Sequence, residues 1–505
     1  MKFNIFNRKT TVTKNYEGEK AWKMDPEMEL YSAVVTTGLS NTFYEKDGTR
    51  LARVQELMKK NDAEFVAKLA IYTRSSMYMR SIPMVLAVEL AKQNTGNSLV
   101  SKTVSGVVQR ADEITELLAY YQLANKRNGA KKLNRLSKQV QKGLAAAFNR
   151  FDEYQFSKYN RDAEVKLRDA LFLVHPKAKD ESQQAIFNKI AAKTLANAYT
   201  WETELSALGQ EKFETSKAKA DAFRAKWEEL IASGKLGYMA SLRNLRNIIE
   251  AGVSFEAMKK VCDYLANEKA VANSKQLPFR FLAAYREVKA MQSEYVSMVL
   301  NALEDAVVAS VKNIRGFEEK TRVLIACDVS GSMQKPVSAK SKVLLYDIGL
   351  MLGMLMQRKC KRVVSGMFGN TWKIINLPNR GVLANVDEYY KREGEVGYAT
   401  NGYAVINDLI NRQVVMDKVL LFTDCQLWDS RNGGNNLAGS WKQYKMIAPE
   451  AKLYLFDLAG YGNTPVSIQR DDVTFIAGWS DKIFDVLDAI ENGESAIKMI
   501  KQIEL

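Results

Sequence analysis

The chain has 505 residues, of which 47% are hydrophobic and 26% charged, as expected for a soluble globular protein of several domains. No apolar run approaches the roughly 18 residues that span a bilayer, and the amino terminus lacks the apolar core of a signal peptide, so we expect a cytoplasmic protein without a membrane anchor. Four cysteines without a CxxC pair argue against a disulfide framework, and a single histidine argues against histidine-based catalysis.

The positive charge is unevenly distributed along the chain. The net charge is +15, but residues 317–505 contain 23 basic and 22 acidic side chains, so nearly all of the excess lies in the first 316 residues. A basic part joined to a neutral part indicates a polyanionic partner for the first part alone. A generally basic, solvated surface explains the same charge equally well.

The first part, about 310 residues long, has the pattern of successive helices. Apolar residues recur at spacings of three and four in segments such as Gly48–Lys59 and Val104–Leu123, and polar residues separate the segments. One pair of short helices cannot bury its own apolar face, so stacked helical pairs are expected. The pattern predicts an all-α, repeat-like domain.

The pattern changes near residue 316. Arg322–Asp328 is a compact β-branched run typical of a buried strand, and further strand-like runs alternate with helical segments as far as Val473–Ala477. Such alternation predicts an α/β domain with a mostly parallel, doubly wound sheet. We therefore predict a multidomain chain with an N-terminal tail (residues 1–20), an all-α module (21–316) and an α/β domain (317–505).

Oxygen-bearing side chains cluster at the predicted strand ends. Asp328, Ser330 and Ser332 follow the first strand, Asp424 ends the strand-like run that begins at Lys418, and Thr400 lies in a glycine-bounded loop. Hard oxygen ligands favour Mg²⁺ first, with Mn²⁺ or Ca²⁺ as alternatives. In the simpler interpretation, Asp328 caps a helix and the hydroxyls are ordinary loop groups.

This order of motifs resembles the von Willebrand factor A fold with its metal-ion-dependent adhesion site. The resemblance implies that Ser330, Ser332 and Thr400 coordinate a divalent cation through their hydroxyls, with Asp328 and Asp424 nearby, directly or through water. It also implies a free coordination position for a partner's carboxylate. The GYATNG context of Thr400 departs from the GGT usual in that fold.

The helical part carries motifs in a characteristic order. These are MRSIPM at residues 79–84, LRDALFLVHPK at 167–177, SLRNLRN at 241–247 and LPFR at 277–280. Together with the carboxy-terminal A domain they resemble the TROVE module of the Ro autoantigen family. The resemblance extends from about residue 20 to the end, and the length is similar to that of a bacterial or bacteriophage member.

The resemblance implies a function in RNA binding. Family members bend HEAT-like helical repeats into a ring that the A domain closes. The basic interior takes single-stranded ends of misfolded or structured noncoding RNA, and the outer surface binds small Y RNA. We therefore expect a monomeric, non-enzymatic ribonucleoprotein component for noncoding RNA quality control or processing, with an exoribonuclease as a further partner.

Eight residues are candidates for RNA contact. His175 matches the family's RNA-contacting histidine, and Lys158 and Arg161 fall where the family contacts Y RNA, although Arg161 requires a one-residue shift. A histidine before proline is also a common helix-end cap, and the arginines could instead form salt bridges between repeats. The full set is Lys158, Arg161, Arg168, His175, Lys177, Arg80, Arg243 and Arg246.

An oxygen-ligand metal site is also found in two other classes of protein, adaptors and phosphoesterases. A metal-dependent adaptor that binds a protein partner through the A domain is the main alternative, and the nearly neutral charge of residues 317–505 is compatible with it. A metal-dependent phosphoesterase needs several carboxylates around its metal. Only Asp328 and Asp424 are evident, so we do not expect an enzyme.

Overall fold

The structure is a computed structural model that describes residues 11–37, 48–126, 136–160, 162–310, 312, 317–337, 341–428 and 435–505. Contacts divide the chain into two compact units. The α/β unit consists of Met1–Leu57, Leu277–Tyr285 and Glu304–Lys498, and the helical unit of Met58–Gln276, Arg286–Leu303 and Met499–Leu505. Within the described ranges, none of the helices combines the length and apolarity required to cross a membrane.

Helices account for most of the regular structure in the described residues. In chain order they are α1 (Pro26–Val35), α2 (Thr49–Lys59), α3 (Ala63–Ser75), α4 (Ser81–Gln93), α5 (Leu99–Val107), α6 (Asp112–Ala124), α7 (Lys138–Phe148), α8 (Glu153–Tyr159), α9 (Leu167–Val174), α10 (Glu181–Ala192), α11 (Trp201–Gly209), α12 (Ser216–Ala232), α13 (Tyr238–Arg243), α14 (Leu245–Glu250), α15 (Phe255–Ala266), α16 (Glu268–Ser274), α17 (Phe279–Lys289), α18 (Val296–Ser310), α19 (Leu345–Lys359), α20 (Val382–Arg392), α21 (Tyr403–Asn411), α22 (Leu437–Ile447), α23 (Ile483–Glu491) and α24 (Ala496–Lys501).

The strands lie at the two ends of the chain. They are β1 (Val12–Lys14), β2 (Lys20–Lys23), β3 (Arg322–Asp328), β4 (Arg362–Phe368), β5 (Trp372–Ile374), β6 (Lys418–Thr423), β7 (Lys452–Asp457), β8 (Asn463–Thr464) and β9 (Val473–Ala477). All of them belong to the α/β unit.

The helical unit is built from short helices that pack on their neighbours in sequence. Each helix buries one face: in α9 the buried residues are Leu167, Ala170, Leu171 and Val174, at spacings of three and four. Helix α3 packs on α4 and α5, and α5 packs closely on α7. A Cβ at Gly143 of α7 would lie 2.6 Å from the Ser101 carbonyl oxygen, so only glycine permits this approach. The all-α, repeat-like prediction is confirmed.

The predicted helix Val104–Leu123 is two helices in the structure. Helix α5 ends at Val107 and α6 begins at Asp112, and the backbone N–H groups of Gln109 and Arg110 donate to Glu113 Oε2 between them. A buried carboxylate therefore binds the amides that a continuous helix would have used internally. The spacing of apolar residues alone does not reveal this break between the two helices.

The α/β unit contains a six-stranded sheet in the order β5-β4-β3-β6-β7-β9. Strands β3, β4, β6, β7 and β9 are parallel, and the edge strand β5 runs antiparallel to β4. Helix α19 packs on β3 and β6. A Cβ at Gly353 of α19 would lie 2.9 Å from Cys327 Sγ, which shows how tightly helix and sheet pack. The predicted α/β fold with a mostly parallel sheet is confirmed.

The amino-terminal residues also belong to the α/β unit. Strands β1 and β2 form an antiparallel hairpin, and β2 pairs with β8 to complete a three-stranded sheet. In helix α1, the Ser32 hydroxyl donates to Asp457 at 2.6 Å. The domain boundaries at residues 20 and 316 stay a prediction: residues 313–316 lie outside the described part, and the amino-terminal hairpin spans the predicted boundary at residue 20.

Candidate functional site

The carboxyl ends of β3 and β6 form the natural crevice of the sheet. From β3 the chain moves to β4 on one side and later returns to β6 on the other, so the strand order reverses between β3 and β6. Ligands of open α/β sheets bind at such a reversal. Asp328 is the last residue of β3 and Asp424 directly follows β6, so both carboxylates lie at this edge.

The first loop at this edge is held by hydrogen bonds to Asp328. The Ser330 N–H donates to Asp328 Oδ1 at 2.9 Å, and the Thr423 hydroxyl donates to Asp328 Oδ2 at 2.6 Å. The Ser330 and Ser332 hydroxyl oxygens are 3.3 Å apart, with Ser332 in a 3₁₀ helix, Gly331–Gln334. The two candidate hydroxyls and the carboxylate thus converge in a buried loop.

The second loop brings Thr400 to the same edge. The Gly331 N–H donates to the Tyr398 carbonyl at 3.0 Å, which joins this loop directly to the first. The loop is also bound to Gly369, whose carbonyl accepts from the Asn401 N–H at 3.0 Å. A Cβ at Gly369 would lie 2.0 Å from the Gly397 carbonyl oxygen, so the approach requires glycine. Thr400 is buried although its sequence context is unusual.

The third loop, Asp424–Trp428, follows β6. Asp424 is fully buried, and its Oδ1 accepts from the Gln426 N–H at 2.9 Å. The backbone of Cys425 is left-handed, with φ 61°, which is unfavourable for a residue with a side chain. The Trp428 N–H donates to the Thr400 carbonyl at 3.0 Å, so the second and third loops are joined as well.

Two oxygen atoms at this edge fit a cation. Thr400 Oγ1 and Asp424 Oδ2 are buried and have no hydrogen-bond partner among the described residues. Buried polar atoms nearly always have one. Because hydroxyl and carboxylate oxygens are ligands for Mg²⁺ and related cations, the residues present fit the predicted metal. In the described part of the chain there is no cluster of three or more histidine, cysteine, aspartate or glutamate side chains suited to a metal.

Burial makes both carboxylates weak acids. It raises the pKa of Asp424 to about 8, and the neighbouring charge of Asp328 contributes to the shift. Burial likewise raises the pKa of Asp328 to about 6, although hydrogen bonds from Ser330 and Thr423 oppose the shift. A bound cation would favour the charged form of both groups.

Two cysteines flank these carboxylates without sharing their chemistry. Cys327 and Cys425 are free and buried. Burial raises the pKa of both thiols, so neither is a thiolate at neutral pH. Their small, apolar side chains fill the strand ends.

The candidate RNA contacts on α8 and α9 are exposed. Lys158 Nζ lies 5.8 Å from the ring centroid of Tyr154 and 5.7 Å from that of Tyr159. In α9 the Arg168 guanidinium lies 5.1 Å from the centroid of Phe172. Both helices are bound to α10, through the Lys189–Glu153 ion pair and through the Arg168 side chain, which donates to the Ala191 carbonyl.

The loop after α9 carries two more candidates. His175 caps α9 with a left-handed backbone, φ 49° and ψ 56°, and its side chain is exposed. Lys177 is exposed, and its carbonyl accepts from the Asn149 side chain at 2.9 Å. The structure therefore groups Lys158, Arg168, His175 and Lys177 on α8, α9 and the following loop, whereas Arg161 lies outside the described residues.

The other three arginines are placed differently. Arg80 donates to Asp112 at 2.9 Å and to Glu113 at 3.1 Å, so it belongs to an ion-pair network between helices. Arg243 ends α13 and Arg246 lies in α14, with Asn244 between the two helices. Arg246 lies near Glu250 and Glu287. RNA contact by these three remains a prediction.

Two further side chains at these sites have no role in the sequence-based predictions. Thr423 holds Asp328, and its place beside Asp424 at a strand end was the available signal. Phe172 is 49% exposed in the middle of α9. It does not follow the three- and four-residue spacing of the buried residues of that helix, and this departure was the available signal. Thr423 is the residue before the predicted ligand Asp424, and Phe172 lies within the motif at residues 167–177.

Comparisons with known proteins agree with these features. A family model for the TROVE domain matches residues 32–226 and 195–300. Telomerase protein component 1 of Mus musculus is 41% identical over 95 residues, and that of Rattus norvegicus 40%. Each match covers 19% of this chain and about 3% of the relative's length, so this chain spans only a small part of those proteins.

A solved structure matches over nearly the whole chain. The Ro (RSR) protein of Deinococcus radiodurans superposes with a TM-score of 0.58 and 16% identity, over 91% of this chain and 98% of that one. That similarity concerns the fold. Because the TROVE model spans more than half of the 505 residues, it establishes the family. The chain belongs to the TROVE-domain family of RNA-binding proteins, in agreement with its resemblance to the Ro autoantigen family.

Proposed function

We propose that this chain is the non-catalytic protein component of a Ro-type ribonucleoprotein in the cytoplasm. Its helical unit would bind a small, Y-like RNA and the single-stranded ends of misfolded or structured RNA. The complex would act in noncoding RNA quality control or processing, with an exoribonuclease as a further partner.

The observation that carries this proposal is the exposed cationic and aromatic surface of α8 and α9. We use the name α8–α9 surface for five exposed residues, Lys158, Arg168, Phe172, His175 and Lys177. Arg168 lies over the Phe172 ring on α9, and α8 and α9 both contact α10. The α8–α9 surface lies within the residues matched by the TROVE model. Lysine and arginine neutralise phosphates, and an exposed ring beside a guanidinium can stack on an unpaired base. The surface thus offers both interactions that single-stranded RNA uses.

The carboxyl edge of the sheet supports a second, compatible role. We propose that Ser330, Ser332 and Thr400 hold a divalent cation, most simply Mg²⁺, with Asp328 and Asp424 adjacent. The unpartnered Thr400 and Asp424 oxygens favour this assignment. When bound, the cation would supply a Lewis-acidic position for a partner's carboxylate. The same chain could then recruit a protein partner through its α/β unit.

The RNA proposal is tested by an electrophoretic shift at several salt concentrations. The probes are a structured RNA with and without a single-stranded 3′ tail, and the variant is Lys158→Ala/His175→Ala. We expect wild-type affinity to require the tail and to fall steeply with salt, and the variant to bind roughly tenfold more weakly, because contacts to phosphate and base are lost.

The matched control is Lys217→Ala/Lys219→Ala, which removes two exposed charges from α12. It should bind nearly as well as the wild type. Weak binding of equal strength to every RNA, unchanged in the Lys158→Ala/His175→Ala variant, would refute RNA recognition by this surface. The metal-dependent protein adaptor would then be the better account.

A further inference from the structure

The amino-terminal hairpin lies against the third loop of the candidate metal site. We call residues Val12–Lys23, which comprise β1, β2 and their connecting turn, the N-terminal hairpin. The turn is closed by the Asn15 side chain, whose Oδ1 accepts from the Glu19 N–H at 2.8 Å. Gly18, with φ 85°, supplies the left-handed residue of this turn. The turn is therefore a well-defined structure that can present side chains.

Three successive residues of this turn bind the loop Asp424–Trp428. The Asn15 side-chain amide donates to the Leu427 carbonyl at 2.8 Å, and the Tyr16 N–H donates to Gln426 Oε1 at 2.8 Å. The Trp428 indole N–H donates to Glu17 at 2.6 Å. Asn15 and Gln426 are buried, so two of these bonds are largely shielded from water.

Gln426 connects the hairpin to a candidate metal ligand. Its side-chain oxygen accepts from Tyr16, and its side-chain nitrogen donates to the Asp424 carbonyl at 3.3 Å and to Asn463 at 3.2 Å. Its own N–H donates to Asp424 Oδ1. Asn463 lies in β8, which pairs with β2 of the hairpin. One buried side chain therefore joins Asp424 to both parts of the amino-terminal sheet.

The loop needs such support because its conformation is unfavourable in isolation. Cys425, directly after Asp424, has a left-handed backbone that surrounding contacts must maintain. The backbone N–H of Trp428 donates to the Thr400 carbonyl. A shift of the loop would therefore move Thr400, another candidate ligand, as well. Among the five candidate ligands, Asp424 and Thr400 are the two with a buried oxygen that has no hydrogen-bond partner in the described part of the chain. The hairpin thus supports the part of the site where the cation is expected.

We propose that the N-terminal hairpin is a positioning element of the metal site, so that hairpin docking and cation binding strengthen each other. Asn15, Tyr16 and Glu17 are positioning residues, because they reach the cation ligands only through the Asp424–Trp428 loop. Such coupling must be reciprocal: whatever releases the hairpin weakens cation binding, and the cation tightens the hairpin. This inference rests on the proposed metal site.

Two single variants test the coupling in the full chain. Asn15→Asp keeps the side-chain oxygen that accepts from Glu19 but replaces the amide that donates to Leu427. Trp428→Phe removes the indole N–H that donates to Glu17. Neither alters a candidate ligand. We expect each to raise the Mn²⁺ dissociation constant about five- to tenfold, measured from the free Mn²⁺ signal in electron paramagnetic resonance.

The matched control is Thr200→Ala in the helical unit. It removes the hydroxyl that caps α11 and should lower overall stability, as cap deletions do, without touching the metal site. Its Mn²⁺ affinity should equal that of the wild type. Weaker Mn²⁺ binding in this control, at a similar loss of thermal stability, would show that affinity follows overall stability and would overturn the coupling.

Hydrogen exchange supplies the reciprocal measurement. Mg²⁺ should slow exchange of the Tyr16 and Glu19 amides in the wild type but not in Ser332→Ala, which lacks a candidate ligand. If Asn15→Asp accelerates exchange in the hairpin and leaves Mn²⁺ affinity unchanged, the hairpin does not position the site and the inference is wrong. If the wild type binds no Mn²⁺, the metal site and the inference fall together, whereas the RNA proposal stands.

Discussion

His175 has an exposed side chain on a backbone that ordinary residues avoid. It ends α9 with φ 49° and is followed by Pro176, and the Leu171 carbonyl accepts its N–H at 2.9 Å. A left-handed residue with a side chain costs about 1–2 kcal/mol relative to a right-handed one, whereas glycine is free of that cost. At such a helix end glycine is the usual residue. Glycine in place of His175 would therefore relieve the backbone strain and remove the exposed imidazole in one substitution.

We therefore expect His175→Gly to separate stability from RNA binding. The free energy of unfolding should rise by up to about 1 kcal/mol because the left-handed strain is removed. RNA affinity should fall because the imidazole is lost. Urea unfolding and the electrophoretic shift measure the two effects on one preparation.

Lys193 provides the matched control for this substitution. It caps α10 with φ 61° and is also exposed. Lys193→Gly should bring a similar gain in stability without the loss of RNA affinity. Equal RNA binding by His175→Gly and wild type would exclude a role for the imidazole.

At the scale of single elements, a buried carboxylate sets the boundary between helices α5 and α6. Glu113, fully buried at the start of α6, accepts from Arg74 at 2.8 Å and Arg80 at 3.1 Å, and from two backbone N–H groups between α5 and α6. The Arg74 guanidinium also donates to the Val107 carbonyl at the end of α5. This network joins three helices at one point.

Glu113→Gln should be strongly destabilising because it leaves Arg74 buried without its counter-charge. We expect a loss of about 3–5 kcal/mol in the free energy of unfolding, as for other buried pairs deprived of one partner. Urea unfolding followed by circular dichroism measures it. The exposed pair Lys259–Asp263 on α15 is the comparison, and Lys259→Ala should cost less than about 1 kcal/mol. If Glu113→Gln and Lys259→Ala lower the free energy of unfolding equally, the Glu113 network stabilises the fold no more than an exposed ion pair does.

Regular elements were predictable wherever local pattern determines them. The strand Arg322–Asp328 has its predicted bounds, because a short, continuous apolar run flanked by polar residues is typical of a buried parallel strand. The break between α5 and α6 was not predictable, because it depends on Arg74, more than thirty residues upstream of Glu113. Likewise, the five oxygen-bearing residues could be found from the order of strands, but the support of Gln426 by the hairpin could not, since over 400 residues separate them.

At the scale of the whole molecule, the buried carboxylates make stability depend on pH. The pKa values of Asp328 and Asp424, about 6 and about 8 in the folded protein, exceed the ordinary value of about 3.9 in an unfolded chain. The folded state therefore holds these protons more tightly. The contribution of the protonated Asp328 and Asp424 carboxyl groups to the free energy of unfolding is complete below about pH 4. It is lost as the pH rises through about 6 and 8.

We expect Mg²⁺ to raise the unfolding temperature more at pH 8.5 than at pH 5.5. At the higher pH the cation meets two charged carboxylates that are otherwise uncompensated, and at the lower pH it must displace protons. Thermal unfolding in Mg²⁺ and in chelator, at both values, measures the difference. In Asp424→Asn the difference should shrink, because one titrating group is gone. A Mg²⁺ effect of the same size at both pH values would contradict the assignment of the cation to these carboxylates.

The four free thiols have a practical consequence. Cys262 lies in the helical unit, whereas Cys327, Cys360 and Cys425 lie in the α/β unit, and all four are buried. A thiol reagent can react only when the surrounding structure opens, so labelling of each cysteine records the opening of its own neighbourhood. Mass spectrometry of labelled peptides would thus follow the two units separately in one sample of the unmodified protein. Labelling of Cys327 and Cys425, which adjoin Asp328 and Asp424, would measure how often that edge of the sheet becomes accessible to solvent, without any introduced label site.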